Sequence, residues 1–137
     1  MTTTVPRPVI AAWSAVSPLG MGRAAFAAGL RAGRTAAVPT GPDWDVPVEQ
    51  ACLVPGFDIK AVLGRKGTRS MDRVTGLAVT AVGQLLDGAQ GDERTALVLG
   101  TGTGSVQSIM DFTRDSLTSA RPYLVDPARF PNTVMNC

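Results

Sequence analysis

Residues 95–117, TALVLGTGTGSVQSIMDFTRDSL, carry the pattern on which the predicted fold depends. The apolar run 96–99 has the length of a short buried strand, and the glycine-rich segment 100–104 ends it. In residues 106–117, mainly apolar side chains then recur at steps of three and four, which is the spacing of one helix face. The stretch therefore predicts a strand, a tight turn and a helix.

The glycine-rich turn allows two interpretations. Backbone N–H groups at a helix start can bind a phosphate or the pyrophosphate of a dinucleotide. Here, however, the glycines are spaced G-x-G-x-G rather than G-x-G-x-x-G, and the first predicted strand of the chain carries no such motif. We favour the other interpretation, in which the glycines let the backbone pass close to a neighbouring element. The turn remains a candidate pocket wall.

The N-terminal region contains patterns for a strand, a turn and a helix. Residues 9–13 are apolar and typical of a first strand, and the segment 17–20 forms the turn that leaves it. Residues 23–32 show an alanine-rich pattern with one apolar side, which predicts a packing helix. Gly33 is placed to end that helix.

Two proline-containing regions are expected to be less regular. Prolines recur through residues 35–55, so most of that region must be loop, with a short strand near 51–54 and with Trp44 as a loop anchor. Near the end of the chain, Pro131 and Asn132 are typical of a helix start, with Asn132 able to cap it. Because the sequence stops inside that helix, we expect a fragment or a truncated product.

A further helix is predicted over residues 71–86, where apolar side chains lie at helical spacing. Ser70 can cap it, Asp72 lies in its favoured first turn, and Gly88 ends it. We expect this to be a core helix. The alternation of strands and helices along the chain predicts an α/β fold.

Composition limits the classes of function. At 137 residues the chain is at most one domain, and 45% hydrophobic against 18% charged residues is a globular balance. A net charge of +2 is too small to indicate nucleic-acid binding. No signal peptide or membrane span is predicted, so cytoplasm is the default location. Two cysteines, Cys52 and Cys137, make no disulfide framework and fit no zinc pattern, and without histidine there is no imidazole base or ligand.

Residues 58–73 are the most charged region, and cations predominate there. The cations are Lys60, Arg65, Lys66, Arg69 and Arg73, against Asp58 and Asp72. Such a local excess can steer an acidic partner even when the net charge is near zero. The alternative is a solvated face with no partner.

Four stretches together resemble the N-terminal part of β-ketoacyl-acyl-carrier-protein synthases of the thiolase-like fold. They are residues 9–20 (VIAAWSAVSPLG), 64–72 (GRKGTRSMD), 100–104 (GTGTG) and 130–136 (FPNTVMN). Their order and spacing match, and the likeness covers nearly the whole chain. The resemblance implies a layered α/β/α fold, of which residues 1–137 hold an incomplete N-terminal portion that ends before the family's nucleophile.

The resemblance also implies a decarboxylative Claisen condensation. In the family, an acyl group moves from a carrier protein to a cysteine, and malonyl-carrier protein then loses CO2 and attacks the thioester. The catalytic cysteine, two histidines and a lysine of the family are not in this chain. Cys137 falls where the family has an ordinary helix residue, and a free cysteine there is usually a small buried hydrophobe. We therefore expect no catalysis from the chain by itself, and no metal or cofactor.

Binding residues can be carried over from the resemblance one by one. Lys66 and Arg69 match positions implicated in docking the acidic acyl carrier protein, whose acyl group is bound to phosphopantetheine, and Arg121 lies near a second docking point. Thr103 stands where relatives often have a larger apolar residue that gates the acyl pocket. Phe130 lies in a loop that, in the family, reaches across a homodimer to line the partner's site. The threonine could mean a different acyl chain or no catalysis.

The sequence leaves the role of the parent protein open. One possibility is a condensing enzyme of fatty-acid or polyketide synthesis. Another is a chain-length factor, which resembles the synthases but lacks the cysteine nucleophile and acts as the heterodimeric partner of an active ketosynthase. A third is an inactive truncated product.

Overall fold

The computed structural model describes residues 7–42, 47–54, 56–87, 91–121 and 123–133. It divides the chain into two compact units, Met1–Pro55 and Gly56–Cys137. Among the described residues, the first unit contains two β-hairpins and one helix, and the second contains three α-helices and a 3-10 helix.

The first hairpin pairs β1 (Val16–Ser17) with β2 (Gly20–Met21) in antiparallel register. The Ser17 hydroxyl fixes the turn, since it accepts from the Leu19 N–H and donates to the Gly20 carbonyl, each at 3.2 Å. Gly20 has a φ of 132°, and a Cβ there would come within 2.8 Å of the Ala25 Cβ. The predicted turn at 17–20 is therefore confirmed.

Helix α1 spans Arg23–Arg31, which confirms the predicted helix to within one residue. Gly33 follows with a φ of 59° and donates its N–H to the Leu30 carbonyl at 3.0 Å, as expected of a glycine that ends a helix. The helix packs through Phe26, whose ring meets Trp13 edge-on with centroids 5.9 Å apart.

The second hairpin joins β3 (Val38–Pro39) to β4 (Gln50–Ala51). The Thr40 hydroxyl extends this pairing by donating to the Val48 carbonyl at 2.6 Å. The strand expected near 51–54 exists, but it lies earlier and overlaps the expectation only at Ala51. Trp44 lies outside the described residues.

Two predicted strands are wrong for this structure, because neither 9–13 nor 96–99 is assigned to a strand. Val9 and Ile10 are 82% and 89% exposed, and Val98 is 91% exposed. A strand depends on hydrogen bonds to a neighbouring strand, and within the described ranges neither segment is paired. Apolar composition gives a segment strand propensity, but it cannot supply the neighbouring strand to which the segment must hydrogen-bond.

Helix α2 (Ile59–Leu63) was not predicted, because five residues are too few to show a period. The Asp58 carboxylate caps it by accepting from the Ala61 N–H at 2.7 Å. Gly64, with a φ of 80°, follows its last residue.

Helix α3 spans Arg73–Leu86, so the predicted helix is confirmed but its cap is not. Asp72 is the N-cap and accepts from the Thr75 N–H at 2.8 Å, whereas Ser70 lies two residues too early to bond the first turn. At the other end, Asp87 closes the helix in a left-handed conformation, and Gly88 lies outside the described residues.

Helix α4 (Val106–Thr118) confirms the helix predicted after the glycine-rich turn. A 3-10 helix, Pro127–Thr133, packs against it. The helix that Asn132 was expected to cap would fall mainly on residues 134–137, which lie outside the described residues. Asn132 itself lies inside the 3-10 helix and donates to the Ser70 carbonyl at 2.9 Å.

The described residues bury little apolar surface. Among their hydrophobic side chains only Phe57, at 7% exposure, is buried. In α3, Val74 and Leu85 are 44% and 42% exposed, so the expectation of a core helix is not met by the described part of the chain. In that part, no helix has the length and apolar character needed to cross a membrane.

Candidate functional site

A cavity of about 680 Å³ lies along α3, between that helix and the segment that precedes α4. Its size falls within the usual range of ligand pockets. Its apolar lining consists of Val74, Ala78, Val79, Val82, Leu86, Leu97 and Leu99. Gly100 and Gly104 also line it, so the glycine-rich turn forms part of a cavity wall.

Polar side chains lie close together at the N-terminal ends of α3 and α4, and two of them line the cavity. Asp72 caps α3, Ser105 precedes α4, and both face the cavity. Ser105 donates to the Ser108 hydroxyl at 2.9 Å, and Ser108 donates to the second Asp72 oxygen at 3.5 Å. This chain of hydrogen bonds joins the starts of the two helices.

The Asp72 carboxylate is held in its charged form. Burial raises its pKa, but the nearby polar side chain of Ser105 and the hydrogen bonds from Thr75 and Ser108 together outweigh that effect and lower the pKa below its ordinary value. The N-terminal ends of two helices also favour a negative charge there. The cavity thus combines apolar walls with one fixed carboxylate, which are elements of binding and positioning.

The predicted docking cations lie on the surface. Lys66 and Arg69 are exposed in the segment between α2 and α3. Thr68 between them is buried, and its hydroxyl donates to the Gly64 carbonyl at 2.8 Å, which fixes the path of this segment. Both cations are therefore presented by an ordered turn.

Arg121 is also exposed, in the segment after α4. Its N–H donates to the Ser119 hydroxyl at 3.2 Å, and its carbonyl accepts from the Leu124 N–H at 2.9 Å. Its backbone is thus held in a turn, and its side chain belongs to neither of the two described cavities.

The two predicted acyl-pocket residues lie elsewhere. Thr103 is exposed and does not line the cavity, although Thr101 of the same turn does. Phe130 is 57% exposed in the 3-10 helix, and its ring centroid lies 6.1 Å from that of Phe112 in α4. Arg129 beside it pairs with Asp115 of α4 at 2.8 Å.

Sequence reasoning did not find the cationic cleft beside α2. Arg69 lines this cleft of about 260 Å³ together with Lys60 and Arg73. All three were counted in the local charge excess, and their spacing of nine and four residues gave no sign that they share a cleft. The missing signal was α2 itself, since that short helix brings Lys60 to the cleft.

Neither the protein-family models nor the curated proteins give a match. The architecture is that of the α/β, thiolase-like fold of ketosynthases. The chain is similar to a solved structure described as the ishigamide ketosynthase/chain length factor, with 46% sequence identity over 93% of this chain and a TM-score of 0.81. The predicted fold class is therefore confirmed, and the chain spans 38% of the length of that matched chain.

Proposed function

We propose that the chain is the N-terminal part of a subunit of a polyketide ketosynthase/chain-length-factor pair, acting on acyl groups held by an acyl carrier protein. The observation that carries this proposal is the 46% identity, over 93% of the chain, to a structure of that description. The four stretches that resemble β-ketoacyl-acyl-carrier-protein synthases support it. The reaction is the decarboxylative Claisen condensation, in which the residues of this chain bind and position rather than react.

The subunit has two candidate roles. It is either the condensing subunit or the non-catalytic chain-length factor that pairs with it. Thr103 favours the second role, because a small polar residue there departs from the larger apolar gate that the resemblance implies.

Carrier-protein docking is assigned to Lys66, Arg69 and Arg121. The support is their exposure on turns whose backbone is held by the Thr68 and Ser119 hydrogen bonds, since backbone that is already ordered loses less conformational entropy on binding. Opposite charges on the two partners would speed their association and orient them.

Acyl-pocket lining is assigned to Thr103 and Phe130. Phe130 is more than half exposed, while the helix that carries it is fastened to α4 by the Arg129–Asp115 ion pair. An aromatic ring that is fixed but uncovered is suited to line a site on a partner subunit, as a dimer of two related chains would require.

The test uses the full-length protein that contains this chain, its candidate ketosynthase partner and malonyl-carrier protein. Product formation by the protein alone would identify a condensing subunit. Product formation only with the partner, and its loss when the partner's nucleophile is removed, would identify a chain-length factor. Absence of both product and carrier-protein binding in every combination would reject the proposal.

A further inference from the structure

The 3-10 helix is attached to two different parts of the protein. On one side the Phe130 ring meets the Phe112 ring of α4, with centroids 6.1 Å apart. On the other side the Asn132 side chain donates its Nδ2–H to the Ser70 carbonyl at 2.9 Å, across 62 positions of sequence. Phe130 and Asn132 are two residues apart, so the aromatic ring lies close to both attachments.

The carbonyl that accepts from Asn132 belongs to an ordered segment. The N–H of Met71, the next residue after Ser70, donates to the Thr68 carbonyl at 3.3 Å. Asp72 then forms the N-cap of α3. The acceptor is therefore fixed relative to the start of α3, and a fixed acceptor restricts where its donor can lie.

The Phe130 ring depends on such attachments for its position. Because the side chain is 57% exposed, close packing on all sides does not hold it. Its backbone is tied to the end of the 3-10 helix, since the Thr133 hydroxyl donates to the Phe130 carbonyl at 2.8 Å. A side chain that lines a binding site selects ligands well only when supporting residues hold it in place. Asn132 is suited to that supporting role.

We propose that Asn132 is a positioning residue, which sets the place of the Phe130 ring through the Ser70 carbonyl and thereby affects the acyl-chain length that the site favours. The inference rests on the proposed function, in which Phe130 lines an acyl pocket, and deepens it by naming the residue that holds the ring. Asn132 acts through Phe130 and needs no contact with the acyl chain.

The test uses the full-length protein with its candidate ketosynthase partner and measures the ratio of longer to shorter products. Asn132→Asp keeps the shape of the side chain but removes the N–H donor, so the ratio is expected to change at least about threefold. Asn132→Ala removes the donor without adding a charge and is expected to change the ratio in the same direction. Changes in opposite directions would assign the effect to the added charge and overturn the inference.

Gln107→Glu is the matched control. The Gln107 amide is also exposed and also donates at 2.9 Å, but its acceptor is the Asp111 carboxylate within α4. The variant therefore makes the same amide-to-carboxylate change at a bond that does not reach the 3-10 helix. We expect it to change the product ratio by less than about 1.5-fold. An equal change in Gln107→Glu and Asn132→Asp would overturn the inference.

The product ratio separates positioning from a merely structural role. A structural defect would reduce all products together and leave their ratio unchanged, and that result would overturn the inference. In a Phe130→Ala background, Asn132→Asp is expected to have no further effect on the ratio, because the ring through which it acts is gone. A further change as large as that in the wild-type background would show that Asn132 acts independently of Phe130.

The remaining outcomes distinguish this inference from the proposed function. If Phe130→Ala changes the product ratio and neither Asn132 variant does, the inference fails and the proposed function stands. If Phe130→Ala leaves the ratio unchanged, the pocket assignment of Phe130 is wrong and the inference fails with it. If no combination forms product, the reaction assigned to the parent protein is wrong, and the inference fails for that reason.

Discussion

At the scale of single residues, Asp72 holds two helix starts together. It caps α3 through the Thr75 N–H and accepts from the Ser108 hydroxyl of α4. Asp72→Ala removes both interactions, so we expect the free energy of unfolding of the full-length protein to fall by about 1–2 kcal/mol. Urea denaturation measures this. Glu93→Ala, at an exposed turn, is the control and should change the free energy by less than about 0.5 kcal/mol.

The amount by which Asp72 raises the free energy of unfolding should also depend on pH. Because the folded-state pKa of Asp72 is lowered from its ordinary value of 3.8, the carboxylate stabilises the fold fully above that value. The stabilisation is lost as the pH falls through the folded-state pKa. The difference in unfolding free energy between the wild type and Asp72→Ala should therefore narrow below pH 3.8. A difference that stays constant from neutral pH down to about pH 2 would contradict this account.

Charge reversal of the docking cations gives a second residue-scale prediction. The double variant Lys66→Glu, Arg69→Glu should bind carrier protein at least about tenfold more weakly than the wild type, and the loss should be larger at low salt. The matched control is Arg94→Glu, Arg114→Glu, which makes the same total charge change at exposed side chains. Unchanged binding by the Lys66, Arg69 variant in calorimetry would remove the docking assignment.

Sequence reasoning located exposed cations at this scale but not their neighbours. The excess of positive charge in residues 58–73 was visible without a structure. That Lys60 and Arg73 share a cleft with a buried phenylalanine depends on how α2 packs on α3, which is set by contacts between separate elements. The cap of α3 was assigned to Ser70 for a related reason, since adjacent polar residues compete for that position and backbone geometry decides between Ser70 and Asp72.

At the scale of elements, helices were predicted well and strands poorly. The pattern of α1, α3 and α4 is local, because each helix makes its own backbone hydrogen bonds. The predicted strands at 9–13 and 96–99 needed partners that periodicity does not identify. The observed hairpins formed where a turn brought two short segments together, and α2 was too short to show a period.

Contacts with α4 are expected to hold the 3-10 helix in place. It is fastened to α4 by the contact between the Phe112 and Phe130 rings and by an ion pair. Phe112→Ala removes the ring contact, so amide hydrogen exchange in residues 127–133 should become faster while exchange in α1 stays unchanged. Leu117→Ala, on the same helix but 80% exposed, should leave exchange in that segment at the wild-type rate. Equal rates in all three proteins would show that the rings do not hold the 3-10 helix.

At the scale of the whole molecule, apolar surface is distributed unusually. Val9, Ile10 and Val98 are each more than four-fifths exposed, and a large apolar cavity along α3 opens beside Leu97 and Leu99. Soluble monomeric proteins rarely leave large apolar patches uncovered. If the chain is the N-terminal part of a longer subunit, as we propose, the rest of that subunit or its partner is expected to cover these segments.

We expect the isolated 137-residue chain to expose more apolar surface than the full-length protein does. A dye that fluoresces on exposed apolar surface should bind the isolated chain strongly and the full-length protein only weakly, and the isolated chain should aggregate as its concentration rises. Leu97→Lys, placed in the exposed segment beside the cavity, should reduce aggregation of the isolated chain, because a charge disfavours apolar association. The same substitution should destabilise the full-length protein, since there the lysine would be buried against apolar neighbours. Background dye fluorescence from the isolated chain would show that these residues cover one another in solution, and the need for a covering partner would disappear.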